Sequence, residues 1–330
     1  MNLHLAALPM ALTLFLAAAA EHAKDLTEPA PQTALPDFNT GSATLTGRIA
    51  SAGSDTMNTL MTLWAETLMR AHPGLEFDVQ GQGSATALPA LIAGTADFGA
   101  MSRPLSREEV AVFKAHFGHA PVRVPVAVDL LAIYVHVENP LRQLTLPQID
   151  AIFSDTRRGG LDEPIVTWGQ LHAEGPWAEL PIRCHGRNRA SGTYEYLRTH
   201  ALFGGRYRDS LRMAPSSSAV VAAIARDKTA IGFSGIGYRT EGVKALAIAT
   251  DGNSPYIEPS MDAEQAVNYP LARFLYIVTA PAKDGNLNAQ QREFLRLVLS
   301  EPGQSIVQEQ GFVPVAPSRI RELRKTLALD

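Results

Sequence analysis

The chain is poor in cysteine and has no excess of positive charge, and each of these facts excludes a class of protein. Its 330 residues include one cysteine, Cys184, so no internal disulfide can form and the fold must depend on its hydrophobic core. That cysteine lies in the short apolar stretch PIRCHG, which favours a structural thiol in a buried strand. The formal net charge is −4, whereas a nucleic-acid-binding domain would be basic. We therefore expect no nucleic-acid partner, and any anion site must be local.

Long apolar runs are also scarce, and the one that stands out is N-terminal. Residues 5–20 are apolar, end in alanines and match A-x-A at Ala18 and Ala20, as in a secretory signal peptide. The segment before the run lacks lysine and arginine, which leaves an uncleaved membrane anchor as the alternative. The run is short for a membrane span, which needs about 20 apolar residues. We expect a signal peptide at 1–20 and export of the remainder.

The rest of the chain has an ordinary soluble composition, 46% hydrophobic and 19% charged, and is long enough for two cores. Residues 21–46 mix proline, threonine, alanine and acidic residues without a period, which predicts a flexible leader with order beginning near Gly47. Beyond it, strand and helix patterns alternate, which predicts an α/β fold with mostly parallel sheets. Predicted strands cover 47–53, 75–81, 96–102, 122–136, 181–186, 230–238 and 272–280; predicted helices cover 57–71, 87–94, 106–118, 144–154, 193–203, 216–227 and 290–310.

Three predicted helix starts share one pattern, in which glycine and hydroxyl residues lead into the helix. They are SAGSDTMNTL (51–60), GQGSATALPAL (81–91) and RASGTYEYL (189–197). A helix N-terminus offers unpaired N–H donors and the positive end of the helix dipole, which suits an oxyanion. Each start alone is also explained by ordinary N-capping. Three together, one of them beside Arg187 and Arg189, indicate a shared anion site.

Other chemistries have weak support in the sequence. GQGSAT lacks the small sixth residue and the later acidic residue of a dinucleotide-binding fingerprint. Ser191 lacks the G-x-S-x-G context of a hydrolase nucleophile, and no further ligands accompany His116 and His119. We expect no cofactor, metal or catalytic residue. A phosphatase or serine hydrolase remains the alternative of a different class.

The pieces AGSDTMNTLMTLWAE, VQGQGSATALPALIAGTADFGAMSRPL, LTLPQIDAIFSDTRRGG, HGRNRASGT and AIGFSGIGY occur in an order that resembles the periplasmic phosphate-binding proteins of ABC-type phosphate importers. The resemblance runs from about Gly47 to the C-terminal region. It implies the two-lobed fold of type II periplasmic binding proteins, an α/β fold in which each lobe has a central β-sheet flanked by helices and the ligand lies in the cleft between the lobes. Lobe one would be 47–129 plus 268–330, and lobe two 130–267. It also implies inorganic phosphate as ligand, a membrane permease as partner, the periplasm as location, and a monomer.

Carried over residue by residue, the resemblance assigns the anion contacts. The helix start at 51–60 would supply hydroxyl and backbone N–H groups, and the start at 81–91 would supply a serine. The third start would supply the arginine and the hydroxyl residues of its R-x-x-x-S-G-T pattern. Arg187 would then be balanced by the ligand. The expected contacts are Asp55, Thr56, Ser84, Ser102, Arg187, Ser191, Gly192 and Thr193.

One position departs from the family pattern. Where the best-known members have an aspartate that accepts the proton of hydrogen phosphate, this sequence has Ser102. Asp55 lies in the first loop, where those members carry a hydroxyl residue. We hypothesise that Asp55 replaces the missing acceptor, because an ionised carboxylate can bond only an oxygen that carries a proton. The alternative is that Asp55 only caps its helix, in which case exclusion of sulfate is in doubt.

Further alternatives stay open at this point. Arg103 and Arg189 either add positive potential near the cleft or are solvated surface residues. Ser216, Ser217 and Ser218 are expected to cap a helix rather than touch ligand. The same fold could bind another oxyanion, or act as a phosphate scavenger or sensor without a permease.

Overall fold

The computed structural model describes residues 35–38, 44–282 and 285–330. The expected signal peptide at 1–20 lies outside these residues. In the described part of the chain, no helix is both long and apolar enough to cross a membrane.

Apart from the consecutive strands β4 and β5, strands and helices alternate through the first two thirds of the chain. The strands are β1 (Thr46–Gly53), β2 (Gly74–Gln80), β3 (Phe98–Met101), β4 (Val122–His136), β5 (Gln143–Thr145), β6 (Arg183–Arg187), β7 (Arg212–Ala214), β8 (Ala230–Gly235), β9 (Val243–Ala245), β10 (Ala247–Ala249) and β11 (Ala272–Thr279). The helices are α1 (Asn58–Ala71), α2 (Ala87–Ile92), α3 (Arg107–Phe117), α4 (Leu146–Phe153), α5 (Gly192–His200), α6 (Ser217–Arg226), α7 (Ala263–Ala266), α8 (Ala289–Val298), α9 (Glu301–Glu309) and α10 (Pro317–Thr326).

One mixed sheet runs through the molecule in the order β2-β1-β3-β11-β4-β8-β6-β7, with β9 also paired to β4. Strand β4 has 15 residues, and its two halves have different partners. Its first half pairs with β11, and its second half pairs with β8 and β9. Strands β4 and β11 therefore join the two halves of the sheet.

The buried hydrophobic residues form two large clusters that meet at these strands. The first core contains residues from 49–127 and 275–329, including the apolar face of α1 that the sequence predicted. The second core contains residues from 128–274 together with Val313. A smaller cluster lies under α2 and α3. Leucine, isoleucine, valine and phenylalanine dominate these clusters, and burial of their apolar surface is the main stabilising contribution to the fold.

The α/β fold class is confirmed, and the structure corrects the details. Every pair that involves β4 or β11 is antiparallel, whereas β1 with β2 and β3, and β6 with β7 and β8, are parallel. The predicted helix at 290–310 is two helices, because Ser300 caps a new helix start and Pro302 occupies its first turn. Helices α7 and α10 were not predicted, and neither were the three-residue strands β5, β7, β9 and β10.

The leader prediction is wrong for residues 35–38. Leu35 and Phe38 are partly buried against the first core. The backbone N–H of Glu301, at the start of α9, donates to the carbonyl of Pro36 at 2.8 Å. Ordered contacts to the core therefore begin before Gly47.

Cys184 lies in β6 as the sequence predicted, and the burial of its thiol can be tested by chemical modification. The side chain is buried, and burial raises the pKa of its thiol to about 12. At pH 8 the reactive thiolate is then scarce and shielded. We predict that N-ethylmaleimide adds to the folded protein at least about tenfold more slowly than to the urea-unfolded chain. Intact-mass measurement over time checks this, and equal rates in both states would contradict it.

Candidate functional site

The three helix starts singled out in the sequence lie next to one another between the two cores. The first two begin as 3-10 turns, Asp55–Met57 and Ser84–Thr86, that lead directly into α1 and α2. The third is the start of α5 at Gly192. The backbone N–H of Ala85 in the second turn donates to the carbonyl of Ala190 just before α5, at 3.0 Å. Chain segments from both cores therefore meet at this place.

N-capping explains only one of the three starts. Ser191 caps α5, because its side chain accepts from the N–H of Thr193 at 3.1 Å. Ser54, before the first 3-10 turn, makes no side-chain capping bond, and Gly83, before the second, has no side chain that could make one. The ordinary explanation for a serine at a helix start thus fails at Ser54, whose hydroxyl is buried.

Arg187 and Asp55 form an ion pair between the two cores. Arg187 ends β6, and its side chain is 1% exposed. Its Nη1 lies 3.0 Å from Asp55 Oδ2, and the same nitrogen donates to Ser217 Oγ at 2.6 Å. Burial lowers the pKa of Arg187, and the Asp55 carboxylate opposes that shift. The expectation that the ligand balances Arg187 is corrected: a protein carboxylate does so in this structure.

The Asp55 carboxylate does not cap its own helix. Its Oδ2 accepts the N–H of Ser217 at 2.8 Å, so the negative charge lies at the N-terminus of α6. The described residues form no hydrogen bond to its other oxygen, Oδ1. The hydroxyl of Tyr238 donates to the carbonyls of Asp55 and Thr56, at 2.9 and 3.2 Å, and so fixes the turn from the other side.

Pairs of buried hydroxyls lie beside this ion pair. Thr56 Oγ1 is 3.0 Å from Thr193 Oγ1, and Ser84 Oγ is 3.2 Å from Ser102 Oγ. The N–H of Ser102 donates to Ser84 Oγ at 3.0 Å. Gly192 packs so closely here that an added Cβ would lie 2.3 Å from Ser84 Oγ. All eight residues predicted from the sequence are thus in one buried region.

The segment before α5 owes its shape to Asn188. The side-chain oxygen of Asn188 accepts a hydrogen bond from the N–H of Ala190 at 3.2 Å. The backbone carbonyl of Asn188 accepts one from the N–H of Ser191 at 3.1 Å. These bonds form a turn between the end of β6 and the start of α5. The turn therefore allows Arg187, at the end of β6, and Ser191, just before α5, to contribute to the same site.

Three buried donors near the site have no acceptor in the described part of the protein. They are Ser54 Oγ, Arg187 Nε and Arg273 Nη1. An unpaired buried donor costs about 1–3 kcal/mol, so a ligand rich in acceptor oxygens would recover free energy there. The chemistry of this donor set matches an oxyanion.

Arg103 and Arg189 line an adjoining cavity of about 470 Å³, whose other lining residues include Ala85, Ser191 and His200. Arg103 is held by Glu109 in a two-bond ion pair, at 2.6 and 2.8 Å. Its charge is therefore balanced within the protein. Arg189 is exposed.

Sequence reasoning missed several residues that hold the site together. Ser216 caps α6, as expected for this run of serines, whereas Ser217 accepts a hydrogen bond from Arg187. Asp129 and Arg273, on the two joining strands, form a fully buried ion pair, and Arg273 Nη2 donates to Thr193 Oγ1 at 2.8 Å. A charged residue inside an otherwise apolar strand, as in VAVDLLAIYV and PLARFLYI, is the signal that could have found both.

Comparison with known proteins places this chain in a family. A family model described as a PBP superfamily domain matches residues 39–302. The chain is 42% identical over 289 residues to the phosphate-binding protein PstS of Pseudomonas aeruginosa, covering 88% of this chain and 89% of that one. The chain belongs to the PstS family.

A more distant relative is the protein SphX of Synechococcus elongatus, 28% identical over 273 residues, which cover 81% of this chain and 77% of that one. Solved structures share the fold. An ABC-type phosphate transport receptor from Vibrio cholerae has a TM-score of 0.62 at 24% identity, covering 81% of this chain and all of that one. A phosphate-binding protein from Stenotrophomonas maltophilia has a TM-score of 0.64 at 17% identity, covering 84% and 93%.

Gly192 offers a test of the close approach between the two cores. We predict that Gly192→Ala separates the two halves at the site, because the new Cβ would overlap the hydroxyls of Ser84 and Ser102. Small-angle X-ray scattering should show a larger radius of gyration and less compact shape than wild type. Gly252→Ala is the matched control, since a Cβ there meets nothing within 4 Å. Identical scattering curves for all three proteins would contradict the prediction.

Proposed function

We propose that this protein captures inorganic phosphate between its two halves and delivers it to an ABC-type importer. The observation that carries the proposal is the meeting of three helix starts around the buried pair Arg187–Asp55. Membership of a family whose relative at 42% identity is named a phosphate-binding protein supports the same ligand. That name also describes binding rather than turnover, and the function has no chemical step.

The two cores are, in this proposal, the cores of two lobes that close on the ligand. Lobe one is 47–129 plus 268–330, and lobe two is 130–267. Strands β4 and β11 cross between them and act as the hinge. Phosphate favours the closed arrangement because it contacts both lobes only when they meet.

Each residue of the site has a defined part in binding. Lobe one contributes the hydroxyls of Thr56 and Ser84, with Ser102 behind Ser84. Lobe two contributes Arg187 and the Ser191-Gly192-Thr193 helix start. Their N–H and O–H groups are donors, and charge-assisted hydrogen bonds to an ionised acceptor are the strong ones.

Asp55 accepts the hydrogen bond from the protonated oxygen of the ligand. Two donors, Arg187 Nη1 and the N–H of Ser217, occupy Oδ2 and orient the carboxylate. Oδ1 remains able to accept, and an ionised carboxylate has nothing to donate. It therefore bonds an oxygen that carries a proton, as in hydrogen phosphate, and repels sulfate, which carries none at neutral pH.

The proposal extends to the location and partners of the protein. An exported protein with a signal peptide at 1–20 would act in the periplasm as a monomer and present its ligand to a membrane permease. The motifs shared with the periplasmic binding proteins of phosphate importers, and the apolar N-terminal run, support this placement.

One observation favours a second candidate. Ser102 stands where an aspartate is expected to reject sulfate, and a hydroxyl can donate to a fully ionised oxyanion. If Asp55 does not accept a hydrogen bond from the ligand, the site would also suit sulfate. Ligand competition separates the two candidates.

Calorimetric titration of the purified protein, cleared of bound anion, tests the ligand and Asp55 together. Phosphate and sulfate are titrated between pH 5 and 8.5 into wild type and Asp55→Asn. We predict phosphate binding with no heat from sulfate for wild type. Asp55→Asn should bind sulfate and lose about 10- to 100-fold in phosphate affinity, equivalent to about 1.4–2.7 kcal/mol, because an amide can donate and Arg187 loses its charge partner.

Asp78→Asn is the control, since Asp78 forms a surface ion pair with Arg48 and should leave both affinities unchanged. Strong sulfate binding by wild type would overturn the phosphate assignment. If Asp55→Asn still binds phosphate and still excludes sulfate, Asp55 does not determine the selectivity. The assignment of phosphate as the ligand would then remain.

A further inference from the structure

A buried ion pair joins the two crossing strands behind the anion site. Asp129 in β4 lies directly opposite Arg273 in β11, and both side chains are 0% exposed. Arg273 Nε and Nη2 donate to Asp129 Oδ2 at 3.0 and 2.7 Å. The centre of the guanidinium lies 5.3 Å from the centre of the Tyr196 ring. The Tyr196 hydroxyl donates to the backbone carbonyl of Ala272 at 2.6 Å. The guanidinium is therefore fixed on several sides.

Stability alone does not account for this pair. A buried ion pair is often no more stabilising than well-packed hydrophobic residues of similar size, because both charges lose their hydration. The surroundings are rich in aliphatic residues, such as Leu130, Leu131 and Leu271, that show what could fill the space. A role in positioning other groups is the more direct explanation.

The pair reaches groups of the anion site on both sides. Arg273 Nη2 donates to Thr193 Oγ1 at 2.8 Å, and Thr193 Oγ1 is 3.0 Å from Thr56 Oγ1. Asp129 Oδ1 accepts the N–H of Ile236 at 3.2 Å, at the start of the turn that carries Tyr238 to the Asp55 loop.

The direction of the Arg273 bond determines what Thr193 can offer. Arginine has donors and no acceptor, so Thr193 Oγ1 must accept from Arg273. The single hydroxyl proton of Thr193 is then directed away from Arg273, where either Thr56 Oγ1 or a ligand oxygen can accept it. Without Arg273 the hydroxyl could rotate and turn a lone pair toward a bound anion, which would be repulsive.

We propose that Arg273, held by Asp129, is a positioning residue for phosphate, because its bond to Thr193 Oγ1 fixes that hydroxyl as a donor to the ligand. The proposal rests on the proposed function. It assigns to the crossing strands a part in ligand recognition as well as in joining the lobes.

A double-mutant cycle tests the proposal. Phosphate is titrated by calorimetry into wild type, Arg273→Lys, Thr193→Val and the double variant, each checked by thermal unfolding. We expect Arg273→Lys to weaken binding by about 10- to 100-fold in the wild-type background, the effect of one hydrogen bond to a charged group. In the Thr193→Val background the same change should weaken binding by less than about threefold, because no hydroxyl remains to be oriented.

Two further variants sharpen the cycle. Thr193→Ser keeps the hydroxyl and should keep the sensitivity to Arg273→Lys. Arg324→Lys replaces another buried arginine, in α10, and should leave the affinity unchanged. If Arg273→Lys does not fold, the cycle is run with Asp129→Asn, which retains Arg273 but removes the charge that holds it.

The outcomes separate this inference from the function on which it rests. Equal weakening by the Arg273 or Asp129 change in the wild-type and Thr193→Val backgrounds would overturn the positioning role, with phosphate binding intact. Failure of wild type to bind phosphate would overturn the proposed function and this inference with it. A loss that depends on the Thr193 hydroxyl supports the proposal.

Discussion

The buried charge of Arg187 is the constraint on which the site depends. Arg187 ends β6 in the second half of the molecule, and its counter-charge, Asp55, comes from the first half. A charge at this depth is destabilising unless it is paired and hydrogen-bonded. The pairing therefore requires the two halves to meet at one geometry. The turn beginning at Asp55, the start of α6 and the segment before α5 are all held in place around this contact.

Two such pairs leave the site close to neutral before any ligand arrives. Arg187 is matched by Asp55, and Arg273 by Asp129. A bound anion would then be held by hydroxyls, backbone N–H groups and the unused nitrogens of the two arginines rather than by net positive charge. Hydrogen bonds of this kind depend on direction, whereas simple charge attraction does not discriminate among anions. The arrangement suits a site that selects anions by whether an oxygen carries a proton, and in the proposed function Asp55 makes that selection.

Local patterns in the sequence were sufficient for much of the fold. The apolar face of α1 and the hydroxyl-rich helix starts were correctly read, because both are set by residues close together in the chain. The resemblance supplied the eight site residues, which lie together in the structure. The Asp129–Arg273 pair was missed because its members are 144 residues apart and each appears as a single charge within an apolar strand. Strands of three residues such as β7 carry too little pattern to predict, and the partner of Arg187 depends on how the two halves meet.

A crystal structure of the phosphate complex would test the central claim most directly. The account predicts one phosphate between the two halves, with an oxygen within hydrogen-bonding distance of Asp55 Oδ1, further oxygens on Arg187 and the start of α5, and the Thr193 hydroxyl donating to the ligand. Phosphate bound elsewhere, or bound with Asp55 turned away from every phosphate oxygen, would contradict it.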